Sequence, residues 1–446
     1  MKFIGCALRV CALSGSVLLG MIAHAQQYDM ILQGGHVFDP KNHVDRTADV
    51  AVKDGLIALV ASHIDPKDAV KTIPVRGFYV TPGLIDIHVH AYTGTGERHS
   101  YAGDNSVNPD GFTFRVGVTT VVDAGCSGWR NFEDFKSRII DRSMTRVLAD
   151  LNIVGSGMRG EKYEDNLTDM DGEATGEMAK KYPGVIVGIK SAHFNGPEWK
   201  PFEEAVKAGT IAQIPVMIDF GTRRSERPLD ELLSRVLRPG DIYTHAYSGL
   251  RGEQDPQTLK ASQAMIIGRE RGIYFDVGHG GGSFAWSVAV PMMNSGFTPD
   301  SISTDLHVDS MNAGMKDMLN VADKFLAMGQ TVPQVLAEMT WNPAREIRQE
   351  QLGNLSVGAP ADIAVLSVEH GHFGLVDMYD KKLMGTKKLI CQLTVRGGKV
   401  VYDLNGISAG RWNLPLDNDE RLARRWTVFY ERPMHNQGAH AQGQAQ

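Results

Sequence analysis

Eight short apolar, β-branched runs recur through the middle of the chain at a spacing of roughly 30 residues, the length of a strand followed by a helix. The runs begin near residues 84, 118, 146, 184, 214, 240, 272 and 300. Helix-patterned stretches lie between them at 131–142, 230–237, 257–271 and 315–329. This alternation is typical of a parallel sheet covered by helices, and eight units predict an α/β fold with a (β/α)8 TIM barrel over residues 81–352. A doubly wound sheet is the less favoured alternative, because no glycine-rich phosphate loop follows the first strand.

Shorter strands with period-2 alternation flank this region on both sides. They lie at 28–39, 48–61 and 69–83 before it, and at 353–368 and 393–403 after it. Gly34-Gly35 and Asp54-Gly55 are expected at hairpin turns of a small antiparallel sheet. A middle domain whose two ends lie together can join such half-sheets. We therefore expect residues 26–80 and 353–405 to form one small β-sandwich.

The two ends of the chain are predicted to lie outside the folded domains. Residues 1–25 carry Lys2 and Arg9, an apolar run and a terminal Ala23-His24-Ala25, which is the pattern of a cleavable signal peptide. A periplasmic or secreted protein is expected, and no later segment approaches the roughly 18 uninterrupted apolar residues of a membrane span. Residues 406–446 are predicted to be a C-terminal extension that is disordered near its end.

Composition excludes several classes of protein. The net charge of −6 carries no basic footprint for nucleic acid. Two of the four cysteines lie in the predicted signal peptide, so a disulfide framework is not expected. No G-x-S-x-G motif occurs, which argues against a serine hydrolase.

Metal-binding or proton-transferring side chains end nearly every predicted strand of the middle region. In a (β/α)8 barrel these strand ends meet at the face that holds the active site. His88 and His90 are two positions apart in a strand, so both project to one face and can chelate one cation. The strand-end residues are His88, His90, Asp123, Asn152, Lys190, Asp219, His245, Asp276, His279, Asp305 and His307.

Five motifs occur in a fixed order along the chain: TPGLIDIHVH (81–90), VTTVVDAG (118–125), VGIK (187–190), TH (244–245) and STDLH (303–307). In this order they resemble the amidohydrolase superfamily, and most closely its amidohydrolase/deacetylase metallohydrolases, relatives of dihydroorotases and hydantoinases. The resemblance covers nearly the whole chain after residue 25. It implies a barrel with a split β-sandwich, one or two divalent metal ions, usually zinc, and a metal-bound hydroxide that attacks an amide or ester carbonyl.

The resemblance also assigns metal ligands residue by residue. It makes His88, His90 and Asp305 ligands of the more buried ion, Lys190 a carboxylated bridge between two ions, and His245 a ligand of the second ion. The family places a histidine at the end of the fifth strand, where this chain has Asp219. Three alternatives follow: His193 supplies the missing imidazole, Asp219 supplies an oxygen, or the site holds one metal ion. In the D-aminoacylase branch a cysteine bridges the metal ions, so Cys126 is an alternative to Lys190, with a buried inert thiol as its default role.

Residues for catalysis and substrate binding complete the predicted site. Asp305 is expected to take a proton from the metal-activated water and to deliver it to the leaving group. His279, in a glycine-rich loop, is expected to hydrogen-bond the substrate or the transition state. Arg223 and Arg224 are candidates for holding a substrate carboxylate. His307 is either a partner of Asp305 or a substrate contact.

The sequence thus predicts an exported, zinc-dependent amidohydrolase or deacetylase that acts on a small acylated molecule, such as an N-acyl amino acid or its ester. A cyclic amidohydrolase is the alternative, although biosynthetic dihydroorotase fits poorly with a signal peptide. A metal-binding scaffold without catalysis is a second alternative, which the departure at Asp219 favours. The sequence does not decide whether the protein forms a homo-oligomer.

Overall fold

Two β-sheets organise residues 26–413, the part of the chain that this computed structural model describes. The strands are β1 Tyr28–Asp39, β2 Val44–Lys53, β3 Leu56–Ala61, β4 Ala69–Pro74, β5 Tyr79–Pro82, β6 Leu84–Val89, β7 Val118–Gly128, β8 Arg146–Asn152, β9 Ile186–Ser191, β10 Val216–Ile218, β11 Ile242–Tyr243, β12 Tyr274–Phe275, β13 Ile363–Val376, β14 Lys382–Arg396 and β15 Lys399–Asp403. The predicted signal peptide and residues 414–446 of the predicted extension lie outside the described residues.

Helices connect the strands of the middle region. They are α1 Phe132–Arg138, α2 Glu161–Glu164, α3 Gly172–Lys181, α4 Lys200–Ala212, α5 Leu229–Glu231, α6 Gln263–Glu270, α7 Trp286–Asn294, α8 Val308–Asn312, α9 Met318–Ala327, α10 Val332–Glu338 and α11 Trp341–Glu346. Within residues 26–413, no helix has the length and the apolar character that crossing a membrane requires.

The central sheet contains β6 to β12 in chain order, and every neighbouring pair is parallel. All residues of β6, β7 and β9 are buried, as a parallel sheet covered on both faces requires. Seven of the eight predicted strands are confirmed in this curled sheet. The eighth predicted run forms isolated parallel bridges instead, from Ser301 to Asp276 and from Leu306 to Val89.

The predicted helices differ from the observed ones in their bounds and, in one case, in the type of helix. The predicted helix over 257–271 begins at Gln263, so the prediction was wrong for residues 257–262. The cause is Asp255, whose carboxylate accepts hydrogen bonds from the backbone N–H of Gln257 and Thr258 and forms a turn there. The predicted helix at 230–237 is a short α-helical turn that continues as a π-helix over Leu232–Val236.

The second sheet joins the two ends of the chain. Its order is β15-β14-β13-β5-β1-β2-β3, with β4 paired to β1. The junction is the antiparallel pair of β5 and β13, in which Val80 faces Val365. The sheet is mixed rather than antiparallel, because β4 and β5 both run parallel to β1. Alternate residues of β13 face opposite cores: Val365 packs within the second sheet and Leu366 packs against the middle region.

The two predicted hairpin turns had different outcomes. Asp54 and Gly55 form a two-residue turn between β2 and β3, and both have positive φ, as a type I′ turn requires. The turn predicted at Gly34-Gly35 was wrong, because β1 continues through it with a register shift. A Cβ on Gly35 would lie 2.4 Å from Val80 Cγ2, so this glycine permits the close approach of β5.

Candidate metal centre

His88, His90 and Asp305 lie together at the carboxyl end of the central sheet. One ligand atom from each lies within 4.8 Å of the others, and all three residues are buried. His90 Nε2 is 2.9 Å from Asp305 Oδ1, and His88 Nε2 is 3.7 Å from the same oxygen. The two histidines share a face because they are two positions apart in one strand. The structure therefore brings the predicted trio together.

The protons of two site histidines are held on the ring edge that faces away from the cluster. His88 Nδ1 donates to Thr244 Oγ1 at 3.0 Å, and that hydroxyl donates to Asp276 Oδ2 at 2.7 Å. His245 Nδ1 donates to the carbonyl oxygen of Gly278 at 2.6 Å. Both Nε2 atoms are left without a proton and face the cluster, and an unprotonated nitrogen is what imidazole offers to a metal ion.

Cys126 contacts the other side of His90. Its Sγ is 3.2 Å from His90 Nδ1 and 3.0 Å from the carbonyl oxygen of Tyr101. Burial raises the pKa of the Cys126 thiol well above its usual value and lowers the pKa of His90 to about 4. A neutral thiol on the ring edge opposite Asp305 orients His90, and this geometry gives no support to Cys126 as a bridge.

Lys190 is fully buried beside His88. Its Nζ is 3.2 Å from His88 Nε2 and 3.4 Å from Met217 Sδ. Burial lowers the pKa of the Lys190 amine, and burial together with Lys190 lowers the pKa of His88 to about 3. Gly125 makes room for the side chain, since a Cβ there would lie 2.8 Å from Lys190 Cβ and Cγ.

Asp219, His193 and His245 form a second group next to Lys190. Asp219 Oδ2 is 3.5 Å from His193 Nε2 and 3.6 Å from His245 Nε2. These distances are too long for good hydrogen bonds, so a carboxylate oxygen and two imidazole nitrogens surround one space. Arg251 Nη2 donates to the other oxygen, Asp219 Oδ1, at 2.6 Å, and His193 Nδ1 lies 2.6 Å from Glu164 Oε2.

The charges around this second group favour a positive charge between its members. Burial would lower the pKa of His193, but Glu164 and Asp219 outweigh it and raise that pKa to about 9. Burial would raise the pKa of Asp219, but Arg251 and His245 hold it well below the usual range. A proton or a metal ion can supply the positive charge that the carboxylates favour.

The backbone is strained at three of these residues. His193 has φ of 55°, His245 of 62° and Asp305 of 52°, in the left-handed region that non-glycine residues rarely adopt. Such conformations cost on the order of 1–3 kcal/mol each and persist where function requires the side-chain position. All three belong to the two groups just described, which points to a functional role for their placement.

The ring of His279 is fully buried and bonded within the protein. Its Nδ1 donates to the carbonyl oxygen of Gly280 at 2.8 Å, and its Nε2 is 2.5 Å from Lys324 Nζ. The ring stacks on Phe284 with centroids 4.6 Å apart. Both ring nitrogens are thus engaged by the protein, and the predicted substrate contact is not supported. The sequence pattern could not reveal this, because Lys324 is 45 positions downstream.

The glycines on either side of His279 are the part of that loop that approaches the cluster. A Cβ on Gly280 would lie 2.4 Å from Asp305 Oδ2, and one on Gly278 would lie 2.9 Å from His245 Nδ1. Both glycines have positive φ. The loop therefore contributes backbone, rather than the histidine side chain, to the surroundings of the site.

His307 lies against Asp305, which is the first of its two predicted roles. Its Nδ1 is 2.7 Å from the backbone carbonyl oxygen of Asp305 and 3.5 Å from Oδ1. Tyr101 covers the histidines from the outside, with its ring centroid 4.9 Å from His307, 4.6 Å from His90 and 4.9 Å from His193. The tyrosine thus separates the buried groups from the space above them.

A cavity of about 640 Å³ opens above this tyrosine, within the usual size range for small-molecule sites. Arg223 lines it, whereas Arg224 does not and donates from Nε to the carbonyl oxygen of Asn195 at 2.6 Å. The lining residues are His99, Ser100, Tyr101, Gly160, Glu161, Glu164, His193, Asn195, Gly221, Thr222, Arg223, Leu250 and Arg251.

Sequence reasoning missed Glu164 and Arg251. Glu164 contacts His193 from α2, and Arg251 pairs with Asp219 from a loop 32 positions later. Neither residue stands at a strand end or in a recognisable motif. Only the folded arrangement brings them to the site.

The donor set fits divalent zinc. His88, His90 and Asp305 supply two neutral imidazole nitrogens and a carboxylate oxygen, which zinc accepts as ligands. The hydrogen bonds from His88 and His245 to Thr244 and Gly278 are the outer contacts that usually orient metal-binding histidines.

Known proteins resemble this chain both in sequence and in structure. A deacetylase from Brucella anthropi is 33% identical over 341 residues, which span 73% of this chain and 81% of the relative. A solved adenine deaminase has a TM-score of 0.76 at 27% identity and covers 84% of this chain and 100% of its own. A solved dihydroorotase has a TM-score of 0.74 at 28% identity, covering 84% of this chain and 97% of its own.

No family model matches the chain. The similarity to the deacetylase nevertheless covers most of both proteins, and the two solved structures share the fold along nearly the whole of their length. The chain belongs to the amidohydrolase superfamily and is a hydrolase of carbon–nitrogen bonds. The resemblance found from the five sequence motifs is thereby confirmed.

Proposed function

We propose that the protein is an exported, zinc-dependent deacetylase that hydrolyses the amide or ester bond of a small acylated molecule, such as an N-acyl amino acid or its ester. The observation that carries the proposal is the trio of His88, His90 and Asp305, placed next to a cavity large enough for such a molecule. The relative from Brucella anthropi, which bears the name deacetylase, supports the choice of reaction.

His88, His90 and Asp305 would hold the more buried zinc ion, and Lys190, carboxylated on Nζ, would bridge it to a second ion. His193 and His245 would hold that second ion, with Asp219 Oδ2 between them as a further donor. When bound, zinc lowers the pKa of a coordinated water to about 7 and polarises the scissile carbonyl. Of the three alternatives raised by the departure at the fifth strand, this assignment keeps His193 and Asp219 as ligands and does not adopt the site with one metal ion.

The protein side chains perform the remaining chemistry. The Asp305 carboxylate takes the proton of the attacking water and passes it to the leaving nitrogen or oxygen. Its strained backbone and the contact with His307 hold the carboxylate in place. Tyr101 packs on three histidine rings and limits access of bulk water to the reacting groups.

The finer description of the fold belongs to the same proposal. We infer that residues 81–352 form a closed (β/α)8 barrel, residues 26–80 with 353–405 a β-sandwich, and residues 1–25 a signal peptide removed on export. Support for closure comes from residues 301–306, where the Thr304 carbonyl accepts from the Gly280 N–H and the Leu306 carbonyl accepts from the His90 N–H. The segment therefore contacts residues next to β12 and residues next to β6, the two edge strands of the central sheet.

Metal content and hydrolysis together test the proposal. We expect about two zinc ions per chain by elemental mass spectrometry, with release of acetate from N-acetyl amino acids or their esters. Asp305→Asn should keep the fold and much of the zinc but lose turnover. Retained turnover would overturn the role of Asp305. Bound zinc without hydrolysis of any substrate would favour the metal-binding scaffold, and absence of zinc would overturn the proposed metal site.

The second group is tested by separate substitutions. His193→Ala should lower zinc to about one ion per chain if this imidazole is a ligand, and Asp219→Asn tests the carboxylate in the same way. An unchanged number of zinc ions per chain in both variants would contradict both assignments, and neither His193 nor Asp219 would then be a zinc ligand.

A cyclic amide is the second candidate substrate, and the similarity to a solved dihydroorotase favours it. Hydrolysis of the rings of dihydroorotate and of substituted hydantoins can be monitored by the loss of ultraviolet absorbance. This assay distinguishes cyclic amides from acyclic acetyl compounds as substrates. Faster turnover of a cyclic amide than of every acyclic acetyl compound would contradict the deacetylase proposal and support a cyclic amidohydrolase.

A further inference from the structure

Lys324 is a fully buried amine in α9 that the proposed mechanism does not use. Its Nζ is 2.5 Å from His279 Nε2 and donates to the carbonyl oxygen of Gly314 at 2.8 Å. Among residues 26–413, no ion pair joins this amine to a carboxylate. Burial lowers the pKa of Lys324 to about 7. A buried amine without a carboxylate partner costs stability, which points to a functional reason for its place in the fold.

The amine determines which nitrogen of His279 carries the ring proton. Burial and the neighbouring Lys324 hold the pKa of His279 well below its usual value, so the ring is neutral and has one N–H. The carbonyl oxygen of Gly280 lies 2.8 Å from Nδ1 and can only accept, which places the proton on Nδ1. Nε2 is left with a lone pair, and Lys324 donates to it. Without this donor the proton would be free to move to Nε2, and Nδ1 would then face the carbonyl oxygen with a lone pair.

The Nδ1–H of His279 fixes the part of the loop that touches Asp305. It bonds to the carbonyl group of Gly280, the next residue in the chain. The Gly280 N–H donates to the carbonyl oxygen of Thr304 at 2.9 Å, and a Cβ on Gly280 would lie 2.4 Å from Asp305 Oδ2. Gly280 therefore holds the residue before Asp305 by a hydrogen bond and packs closely against the Asp305 carboxylate.

We propose that Lys324 is a positioning residue for Asp305, and that it acts through the ring proton of His279 and the backbone of Gly280. This role rests on the proposed function, in which the Asp305 carboxylate transfers the proton of the attacking water. Phe284 stacks on the His279 ring with an angle of 14° between the two planes, which fixes the plane of the ring but not the edge that faces Gly280. The donor at position 324 fixes that edge. Lys324 does not line the cavity, so it acts on the reacting carboxylate rather than on substrate binding.

The position of the ring proton of His279 is the direct test. Protein labelled with nitrogen-15 in its histidines is loaded with zinc, and the His279 signals are assigned by nuclear magnetic resonance from their absence in His279→Gln. In the wild type we expect the proton on Nδ1. Lys324→Met removes the donor and should shift a measurable fraction of the proton to Nε2. Lys324→Gln, which keeps an N–H donor on a slightly shorter side chain, should lie between the wild type and Lys324→Met.

Kinetics and zinc affinity connect this ring proton to Asp305. At saturating zinc, Lys324→Met should lower kcat for N-acetylalanine by roughly 10- to 100-fold, because small displacements of a reacting group have effects of this size, and KM should change little. The zinc Kd should rise about 10-fold, since Asp305 is also a proposed ligand. Gln330→Met is the matched control, because Gln330 is buried just after α9 and donates to Glu338 Oε1 at 2.7 Å. It should leave kcat, the zinc Kd and the ring proton unchanged.

The outcomes separate this inference from the proposed function. A proton that stays on Nδ1 in Lys324→Met would overturn the inference, because any loss of kcat would then be a structural effect. A shifted proton with unchanged kcat and zinc Kd would also overturn it, since Asp305 would not depend on the loop. If the wild type hydrolyses no acylated compound, the deacetylase is overturned. A shifted proton with weaker zinc binding in Lys324→Met would in that case still support the positioning of Asp305.

Discussion

Replacing Thr244 by valine should weaken zinc binding although Thr244 is not a proposed ligand. The hydroxyl accepts from His88 Nδ1 at 3.0 Å and donates to Asp276 at 2.7 Å, in a residue that is fully buried. Valine has nearly the same shape but leaves the His88 N–H without an acceptor. Asp276 keeps its bonds from Ser301 and Ser303, so the damage is confined to the histidine.

The magnitude follows from this loss of one buried partner. An unsatisfied buried donor costs about 1–3 kcal/mol, and loss of the outer contact of a metal-binding histidine typically lowers metal affinity about 10- to 100-fold. We therefore expect a 10- to 100-fold rise in the zinc Kd, measured by competition with a chelator of known affinity, and a fall of about 1–3 kcal/mol in the free energy of unfolding.

Thr394→Val is the matched control. Thr394 is also fully buried and donates one hydrogen bond, from Oγ1 to the carbonyl oxygen of Phe114 at 2.7 Å, in β14. It should lose a similar free energy of unfolding, with unchanged zinc affinity. Equal zinc affinity in Thr244→Val and wild type would refute the reasoning, because His88 would then not depend on its outer contact.

Three further predictions concern the loop at the site, one buried acid and the junction of the sheets. Gly280→Ala should reduce zinc content and turnover, because its Cβ would lie 2.4 Å from Asp305 Oδ2, whereas Gly282→Ala, with open space around it, should change neither. Burial raises the pKa of Asp323 to about 7, so the folded state holds a proton that the unfolded state has lost, and stability falls as the pH rises from about 4 to 7. Asp323→Asn keeps the bond from the Leu389 N–H and should flatten this fall in urea unfolding at pH 5 and pH 8; an unchanged pH dependence would contradict the assignment. Asp362→Ala should cost about 3–5 kcal/mol in urea unfolding, because it leaves Arg146 and Arg396 without their shared carboxylate, and a loss below about 1 kcal/mol would refute the role of this pair.

Local patterns predicted the strands and the grouping of His88 and His90 well, because strand periodicity depends only on neighbouring residues. The order of the strand-end residues was equally informative, since parallel strands place their carboxyl ends at one edge. The glycine pair at 34–35 was misread because a bulge and a hairpin turn use the same residue type. Only the partner strand, with Val80 against Gly35, distinguishes them.

The sequence could not predict in which direction the side chains of loop residues point. His279 stands in a glycine-rich loop after a strand, which is where substrate contacts are common, yet Lys324 and Phe284 hold its ring. In the same way, nothing in the chain near Arg251 indicates a partner at Asp219. These contacts depend on pairs of residues far apart in the chain, and no periodicity or motif records such pairs.

The pairing of β5 with β13 has a consequence for how the chain is made. Residues 79–82 find their hydrogen-bonding partners at 363–366, so the first strands to leave the ribosome wait for most of the polypeptide before their sheet can be completed. Contacts of such long sequence separation form late in folding. The edge of β5 that pairs with β13 therefore stays open until residues 363–366 have been synthesised, although β1 already pairs with β2, β4 and β5.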